Sequence, residues 1–343
     1  MQANTSLKNK SNSNPVKELL SLLNDDMGQV NDIILKEMRS DVALIPQLAG
    51  YLIASGGKRL RPLLTIASAA MFGYQGIRSQ RLAACVEFIH TATLLHDDVV
   101  DESDKRRGQD TANLVFGNQA SVLVGDFLFS RAFQLMVQDG SLEVLKILSD
   151  ASAVIAEGEV LQLSTTSNLS TTFDEYRQVI ESKTAALFAA ATEVGAVICE
   201  CDDETQSAIK DYGMALGVAF QIVDDVLDYQ TPSKDLGKDT GDDFKEGKMT
   251  LPVILSLEGA DQTQKEFWKR TFEEGDQNDD DFETALTYID EANALERSID
   301  VAKDYIDLAT KSLKKIENSG YIKNTHIASL LEELAHYSIT RHY

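Results

Sequence analysis

From residue 16 onward the apolar positions recur with the period of a helix rather than that of a strand. Between Arg78 and Val100, Leu82, Val86, Ile89, Thr93 and Val100 return at intervals of three, four or seven residues, so they share one helical face. Alternating Val/Thr runs are few. The five prolines, Pro15, Pro46, Pro62, Pro232 and Pro252, leave long stretches rich in Ala, Leu, Glu and Lys between them. The pattern predicts helices near 16–38, 41–55, 60–72, 78–103, 119–138, 142–165, 172–199, 204–230, 250–258, 262–273, 281–317 and 323–340. Breaks between them are short and polar, as at Thr166 to Thr172 and Gly275 to Asp281. No Gly/Ser linker divides the chain, and no repeat of roughly 20 to 50 residues is present. The expectation is a single all-α domain over 16–343 behind a disordered tail at 1–15.

Charge narrows the range of partners. Lys plus Arg number 32 against 55 Asp plus Glu, a formal net charge of −23, which disfavours nucleic acid and anionic membrane surfaces. Any basic cluster is therefore a local device. Cys85, Cys199 and Cys201 are too few for a disulfide framework and fit no zinc spacing. No uninterrupted apolar run reaches the ~18 residues a spanning helix needs. The opening MQANTSLKNKSNSNP lacks the apolar core of a signal peptide. A cytoplasmic protein without an integral membrane segment is expected.

Acid and base are not mixed evenly. In LLHDDVVDESDKRRG, residues 94 to 108, Asp97, Asp98, Asp101, Glu102 and Asp104 come directly before Lys105, Arg106 and Arg107. Helix residues turn by about 100° each, which puts Asp97 and Asp101 about 40° apart and one turn distant, with Asp98 about 100° away from Asp97. Like charges at that spacing destabilise a helix, so an offsetting cation is expected. Hard oxygen donors suit Mg²⁺, which bridges to substrate phosphate. A second DDxxD, Asp224, Asp225 and Asp228 in FQIVDDVLDYQ, again follows an apolar helical stretch. Two such clusters facing one cavity would be tolerable only around metal and polyanion.

Candidate anion-binding groups accompany them. GGKRLRP supplies Lys58, Arg59 and Arg61 behind two glycines, and Arg106 and Arg107 leave the first acidic helix. Lys183 and Thr184 interrupt an apolar stretch, where an unpaired lysine would be costly. KDLGKDTGDDFKEGK adds Lys234, Lys238, Lys245 and Lys248 on a loop suited to being a lid. His90 lies seven residues before Asp97, near the same stripe.

Together GGKRLRP, LLHDDVVDESDKRRG, the SKT at Ser182 to Thr184, FQIVDDVLDY and EGEVLQLS resemble trans-polyprenyl diphosphate synthases, most closely the octaprenyl to decaprenyl members, over roughly residues 20 to 343. The resemblance implies a bundle of antiparallel helices around a deep cavity, in a homodimer. It also implies an isopentenyl diphosphate site at Lys58, Arg61, His90 and Arg107. An allylic diphosphate, expected to be farnesyl diphosphate, would sit on three Mg²⁺ held by Asp97, Asp101 and Asp224. Arg106, Lys183, Thr184, Gln221 and Lys234 would contact it. Asp98, Asp225 and Asp228 would act through water or side-chain cations.

The implied chemistry is ionisation of the allylic diphosphate, attack by the isopentenyl double bond and loss of a proton, repeated to about C40–C50 for a quinone side chain. Lys183, Thr184, Gln221 and Lys234 are the catalytic candidates. Chain length is expected to follow Ala92 and Thr93, small residues four or five before the first motif where short-chain relatives carry aromatics, with Met136 as a candidate floor. A terpene cyclase or head-to-head coupling enzyme also ionises an allylic diphosphate. A cyclase needs one diphosphate site, whereas GGKRLRP with His90 and Arg107 supplies a second. A noncatalytic partner subunit would be expected to have lost some of these groups, and none is missing.

Overall fold

The computed structural model describes residues 14–54, 59–106, 108–230 and 241–340. Its first helices are α1 (Pro15–Leu22), α2 (Asn24–Glu37), α3 (Leu44–Ala54), α4 (Leu60–Met71) and α5 (Ile77–Val100). A short ribbon follows, β1 (Lys105–Arg106) pairing antiparallel with β2 (Gln109–Asp110), Lys105 opposite Asp110. Next come α6 (Ala112–Phe116), α7 (Asn118–Asp139), α8 (Leu142–Thr165), α9 (Phe173–Ile180), α10 (Ala186–Val197) and α11 (Asp203–Asp228). The chain continues through α12 (Asp242–Lys245), α13 (Leu251–Leu257), α14 (Gln262–Trp268), α15 (Asp281–Glu291), α16 (Ala294–Glu317) and α17 (Thr325–Thr340). The all-α expectation holds, with the two-residue strands as its one departure.

Helix starts are written locally. Thr172 and Glu175 form a reciprocal capping box that opens α9, and the Asp202 side chain accepts from the Thr205 amide to open α11. Three expected helices are divided. The span 16–38 breaks at Leu23, whose φ of −108° and ψ of 20° leave the helical region. The span 281–317 breaks at Asn293, left-handed at φ 51°. The span 172–199 is interrupted by a π turn at Glu181–Ala185, and a second π turn, Lys269–Glu273, follows α14. An extra residue in one turn keeps the backbone helical, so apolar periodicity does not reveal it. The span 78–103 ends earlier, at Val100, where Asp101 caps the helix.

The core is one connected apolar cluster. In it α11 packs along α10 and α16, α10 along α4 and α8, and α5 along α7 and α4. Leu63, Phe88, Ile89, Phe188, Leu216 and Ile222 are among its fully buried members. Among the described residues α7 alone has the length and composition to cross a membrane. Its Leu128, Ala132, Leu135 and Met136 are instead buried, on the helix that packs against α5.

Candidate active site

The π turn Glu181–Ala185 is the hinge of the site. It is held on two sides by glycines. A Cβ on Gly158 of α8 would meet Ser182 Cβ at 2.7 Å and the Lys183 nitrogen at 2.9 Å. A Cβ on Gly217 of α11 would meet Ala185 Cα at 2.6 Å. Only glycine permits either approach. The turn then aims consecutive side chains at different acidic motifs. Lys183 Nζ lies 3.8 Å from Asp97 Oδ2, while the Thr184 hydroxyl donates to Gln221 Oε1 at 2.8 Å. Gln221 Nε2 donates in turn to Asp225 Oδ1 at 2.7 Å, one helical turn on along α11.

Other groups complete the link between the motifs. Lys248 Nζ is 3.3 Å from Asp101 Oδ2 and 3.9 Å from Asp243 Oδ1, and it also pairs with Glu246. Asp243 donates its backbone N–H to Asp228 Oδ2 at 2.9 Å. The first motif thus reaches the second through Lys248 and the segment around α12. A cavity of about 110 Å³ lies here, lined by Tyr176, Lys183, Thr184, Gln221, Asp225 and Lys248 among others.

The geometry separates Asp98 from its neighbours. Arg106 donates to Asp98 Oδ1 through Nε at 2.8 Å and Nη2 at 2.6 Å, so Asp98 folds the ribbon back onto α5. Arg106, expected at the allylic diphosphate, carries this contact in the structure. Arg61 and His90 come together, Arg61 Nη1 lying 3.1 Å from His90 Nε2. The Arg61 guanidinium also sits 4.6 Å from the centroid of the Phe188 ring, a cation–π contact that orients it. Arg59, at the start of α4, is left-handed at φ 45°. Ala92 and Met136 are fully buried, and Thr93 is half-buried with its hydroxyl on the His90 carbonyl. Asp224 begins the second motif on α11. Lys58, Arg107, Lys234 and Lys238 lie outside the described residues.

Three groups carry weight here that sequence reading left without a role. Glu159 Oε2 accepts from Lys183 Nζ at 2.7 Å, and Glu159 Oε1 is buried without a hydrogen-bond partner. Its signal was EGEVLQLS, where Gly158 admits the turn and Glu159 meets the lysine. Tyr176 donates to Asp225 Oδ2 at 2.6 Å, and a single tyrosine on an amphipathic helix offers no sequence signal. Asp243 was hidden within a charged loop.

Burial without enough counter-charge shows in the acidity of these groups. Burial pushes Asp97 up to about 7 against the opposing pull of Lys183, with Glu159 and Asp101 adding to the rise. Burial raises Asp225 to about 7 although the Tyr176 and Gln221 hydrogen bonds favour its anion. Burial also raises Asp228 and Asp243. For Lys248 burial acts to lower the pKa, but Asp243, Asp101 and Glu246 outweigh it and the net shift is upward. Such a surplus of buried carboxylate suits added cations. Among the described residues no three His, Cys, Asp or Glu side chains converge on one point. The donors of both motifs are hard carboxylate oxygens, which suit Mg²⁺ completed by water and substrate oxygens.

The family model described as Polyprenyl synthetase matches residues 42–289, which contain both aspartate motifs and the π turn. The chain belongs to that family. It is 48% identical to the octaprenyl diphosphate synthase of Escherichia coli over 260 residues, 76% of this chain and 80% of the relative. It is 43% identical to that of Haemophilus influenzae over 96% of this chain and 98% of the relative. The crystal structure of a decaprenyl diphosphate synthase from Rhodobacter capsulatus superposes with a TM-score of 0.90 at 51% identity, over 95% of this chain and 99% of that one. A polyprenyl synthase from Caulobacter crescentus, solved with calcium and isoprenyl diphosphate, gives 0.90 at 48% identity over 97% and 99%. As a polyprenyl synthetase the chain is a prenyltransferase that makes long-chain all-trans polyprenyl diphosphate.

Proposed function

We propose that this chain extends farnesyl diphosphate by successive head-to-tail condensations with isopentenyl diphosphate, in the presence of Mg²⁺, to a product of about C40–C50 for a quinone side chain. One observation carries the reading: a single π turn gives Lys183 to the first aspartate motif and Thr184, through Gln221, to the second. Asp97, Asp101 and Asp224 would hold the metal, three ions per site, which would supply positive charge for a departing diphosphate. Lys183 and Lys234 bind that diphosphate, with Arg106 beside Asp98 and with Thr184 and Gln221 at its reacting end. Asp98, Asp225 and Asp228 orient these groups.

Isopentenyl diphosphate occupies Lys58, Arg61, His90 and Arg107. The Arg61–His90 contact supports two of these as one site. Once the allylic carbon–oxygen bond has broken, the isopentenyl double bond attacks the allylic cation, and a proton then leaves the new chain. The departed diphosphate takes that proton, as the family resemblance implies, and the lack of a dedicated base in the sequence fits this. Apolar walls keep water from the carbocation. Growth proceeds past Ala92 and Thr93 towards Met136, and the burial of Ala92 and Met136 in the core is consistent with this route.

The protein is one all-α domain, works in the cytoplasm and forms a homodimer. Of the tail expected at 1–15, residues 1–13 lie outside the described residues, and Pro15 already opens α1. Leu123, Phe133 and Val137 stay exposed along α7, a stripe that a second copy would cover. The test of the site is calorimetry. Farnesyl diphosphate should bind only with Mg²⁺, and Asp97→Ala should abolish that binding. Equal affinity with and without metal contradicts the assignment.

A further inference from the structure

We propose that Tyr176 is a positioning residue for prenyl transfer: through Asp225 it fixes which end of the Gln221 amide faces Thr184. The inference rests on the reading above that Gln221 meets the allylic substrate. A glutamine amide has two ends of nearly equal size and opposite hydrogen-bonding character, so something must choose between them. Here the choice is made at Asp225. Its carboxylate accepts at both oxygens. Oδ1 takes the Gln221 Nε2 hydrogen at 2.7 Å, and Oδ2 takes the Tyr176 hydroxyl hydrogen at 2.6 Å. The nitrogen end of Gln221 is therefore pinned to α11 itself, and Oε1 turns to the Thr184 hydroxyl.

Each hydrogen in this chain is directed. Thr184 donates to Gln221, Gln221 donates to Asp225, and Tyr176 donates to Asp225 from the opposite side. Tyr176 and Asp225 are each 4% exposed, so solvent has little room to replace either contact. Tyr176 belongs to α9, which the capping box anchors, and so brings a fixed outside element to bear on α11. Gln221 and Thr184 both line the cavity, and in this orientation the amide oxygen lies on the Thr184 side and the amide N–H groups on the Asp225 side. That polarity suits a carbon that gains positive charge as diphosphate departs, and the reversed amide would oppose it. Without the tyrosine hydroxyl, Oδ2 of a buried carboxylate loses its partner. The carboxylate is then free to turn, and the pin on Gln221 loosens.

The consequence is a split between turnover and binding. In steady-state assays of the full chain with Mg²⁺, farnesyl diphosphate and isopentenyl diphosphate, Tyr176→Phe should lower kcat about tenfold with both KM values within about twofold. Asp225→Asn can donate from its own amide to Gln221 Oε1 and reverse the orientation, so its kcat should fall about a hundredfold. Adding Tyr176→Phe to Asp225→Asn should cost less than about twofold more, since both act through one amide. If Tyr176→Phe melts below the assay temperature, the same kcat and KM values taken beneath its melting point decide the matter. A Tyr176→Phe enzyme with unchanged kcat, a loss carried by KM, or single losses that multiply in the double variant would overturn the role of Tyr176. A wild-type chain that fails to condense the two diphosphates overturns instead the reading beneath it, and the role of Tyr176 with it.

Discussion

Lys248 Nζ lies 3.3 Å from Asp101 Oδ2, joining the end of α5 to the segment that follows the second aspartate motif. A lysine drawn from one side of the site thus neutralises a carboxylate on the other while Asp243 and Glu246 hold it in place. The acidic motifs are separate in sequence but share counter-ions in space. The proposed metal ligands and their supports can therefore be told apart by mutation.

Asp97→Ala and Asp224→Ala should each cut turnover by at least ~10³, about 4 kcal/mol of transition-state stabilisation. Asp98→Ala should cost less turnover, because its carboxylate is committed to Arg106. Its larger effect should be a lower melting temperature from the loosened ribbon. Steady-state kinetics beside thermal melts of the three variants check this. Equal kinetic losses at Asp97 and Asp98 would refute the division.

The cations should divide between the substrates. Arg61→Ala should raise KM for isopentenyl diphosphate far more than KM for the allylic primer, since Arg61 is built against His90 and Phe188. Lys183→Ala should raise the allylic KM or lower kcat, because its partner gains charge as the bond breaks. Initial-rate measurements with each substrate varied in turn separate the two.

The metal requirement should depend on pH with a definite sign. Without metal, burial holds Asp97 at about 7 in the folded protein, above its unfolded range. Its contribution to stability is then fully present at acid pH and lost as pH rises through about 7. Mg²⁺ must displace that proton below 7 and need not above it. The rise in melting temperature given by Mg²⁺ with diphosphate should be larger at pH 8 than at pH 6. A series of thermal melts across that range measures it, and a larger rise at pH 6 would contradict the assignment of Asp97.

Periodicity and charge blocks made most of the helices legible, because an amphipathic face and a run of like charge are both local signals. They also supplied Asp97, Asp101, Asp224 and Lys183, whose types are costly in apolar helices without a purpose. The π turn was not legible. It adds one residue without ending the helix, and the glycines that leave room for it, Gly158 and Gly217, meet it from distant segments. Glu159 and Tyr176 escaped for the same reason: each acts through a partner far away in sequence, Lys183 and Asp225. The breaks at Leu23 and Asn293 depend on backbone angles that apolar spacing does not encode.

Gly217→Ala should test the clamp directly. The added methyl meets Ala185 Cα at 2.6 Å, a backbone-attached atom that cannot swing aside. Overpacking of this kind costs about 1–3 kcal/mol, so the melting temperature should drop. If the π turn is also displaced, kcat should fall beyond what the thermal loss explains, since Lys183 and Thr184 move with it.

The growing chain should be stopped by bulk beside the first motif. Ala92→Phe or Thr93→Tyr should shift products towards C15–C20 while much of the first condensation survives, because the diphosphate groups are untouched. Chromatography of dephosphorylated products reads the lengths. An active Ala92→Phe enzyme that still makes the full chain would place growth along another route.

The most direct measurement is to incubate the purified chain alone with Mg²⁺, farnesyl diphosphate and labelled isopentenyl diphosphate, and to resolve the products by length. The account predicts a Mg²⁺-dependent ladder ending at about C40–C50. A cyclised hydrocarbon, a head-to-head dimer, or no incorporation of label would contradict it.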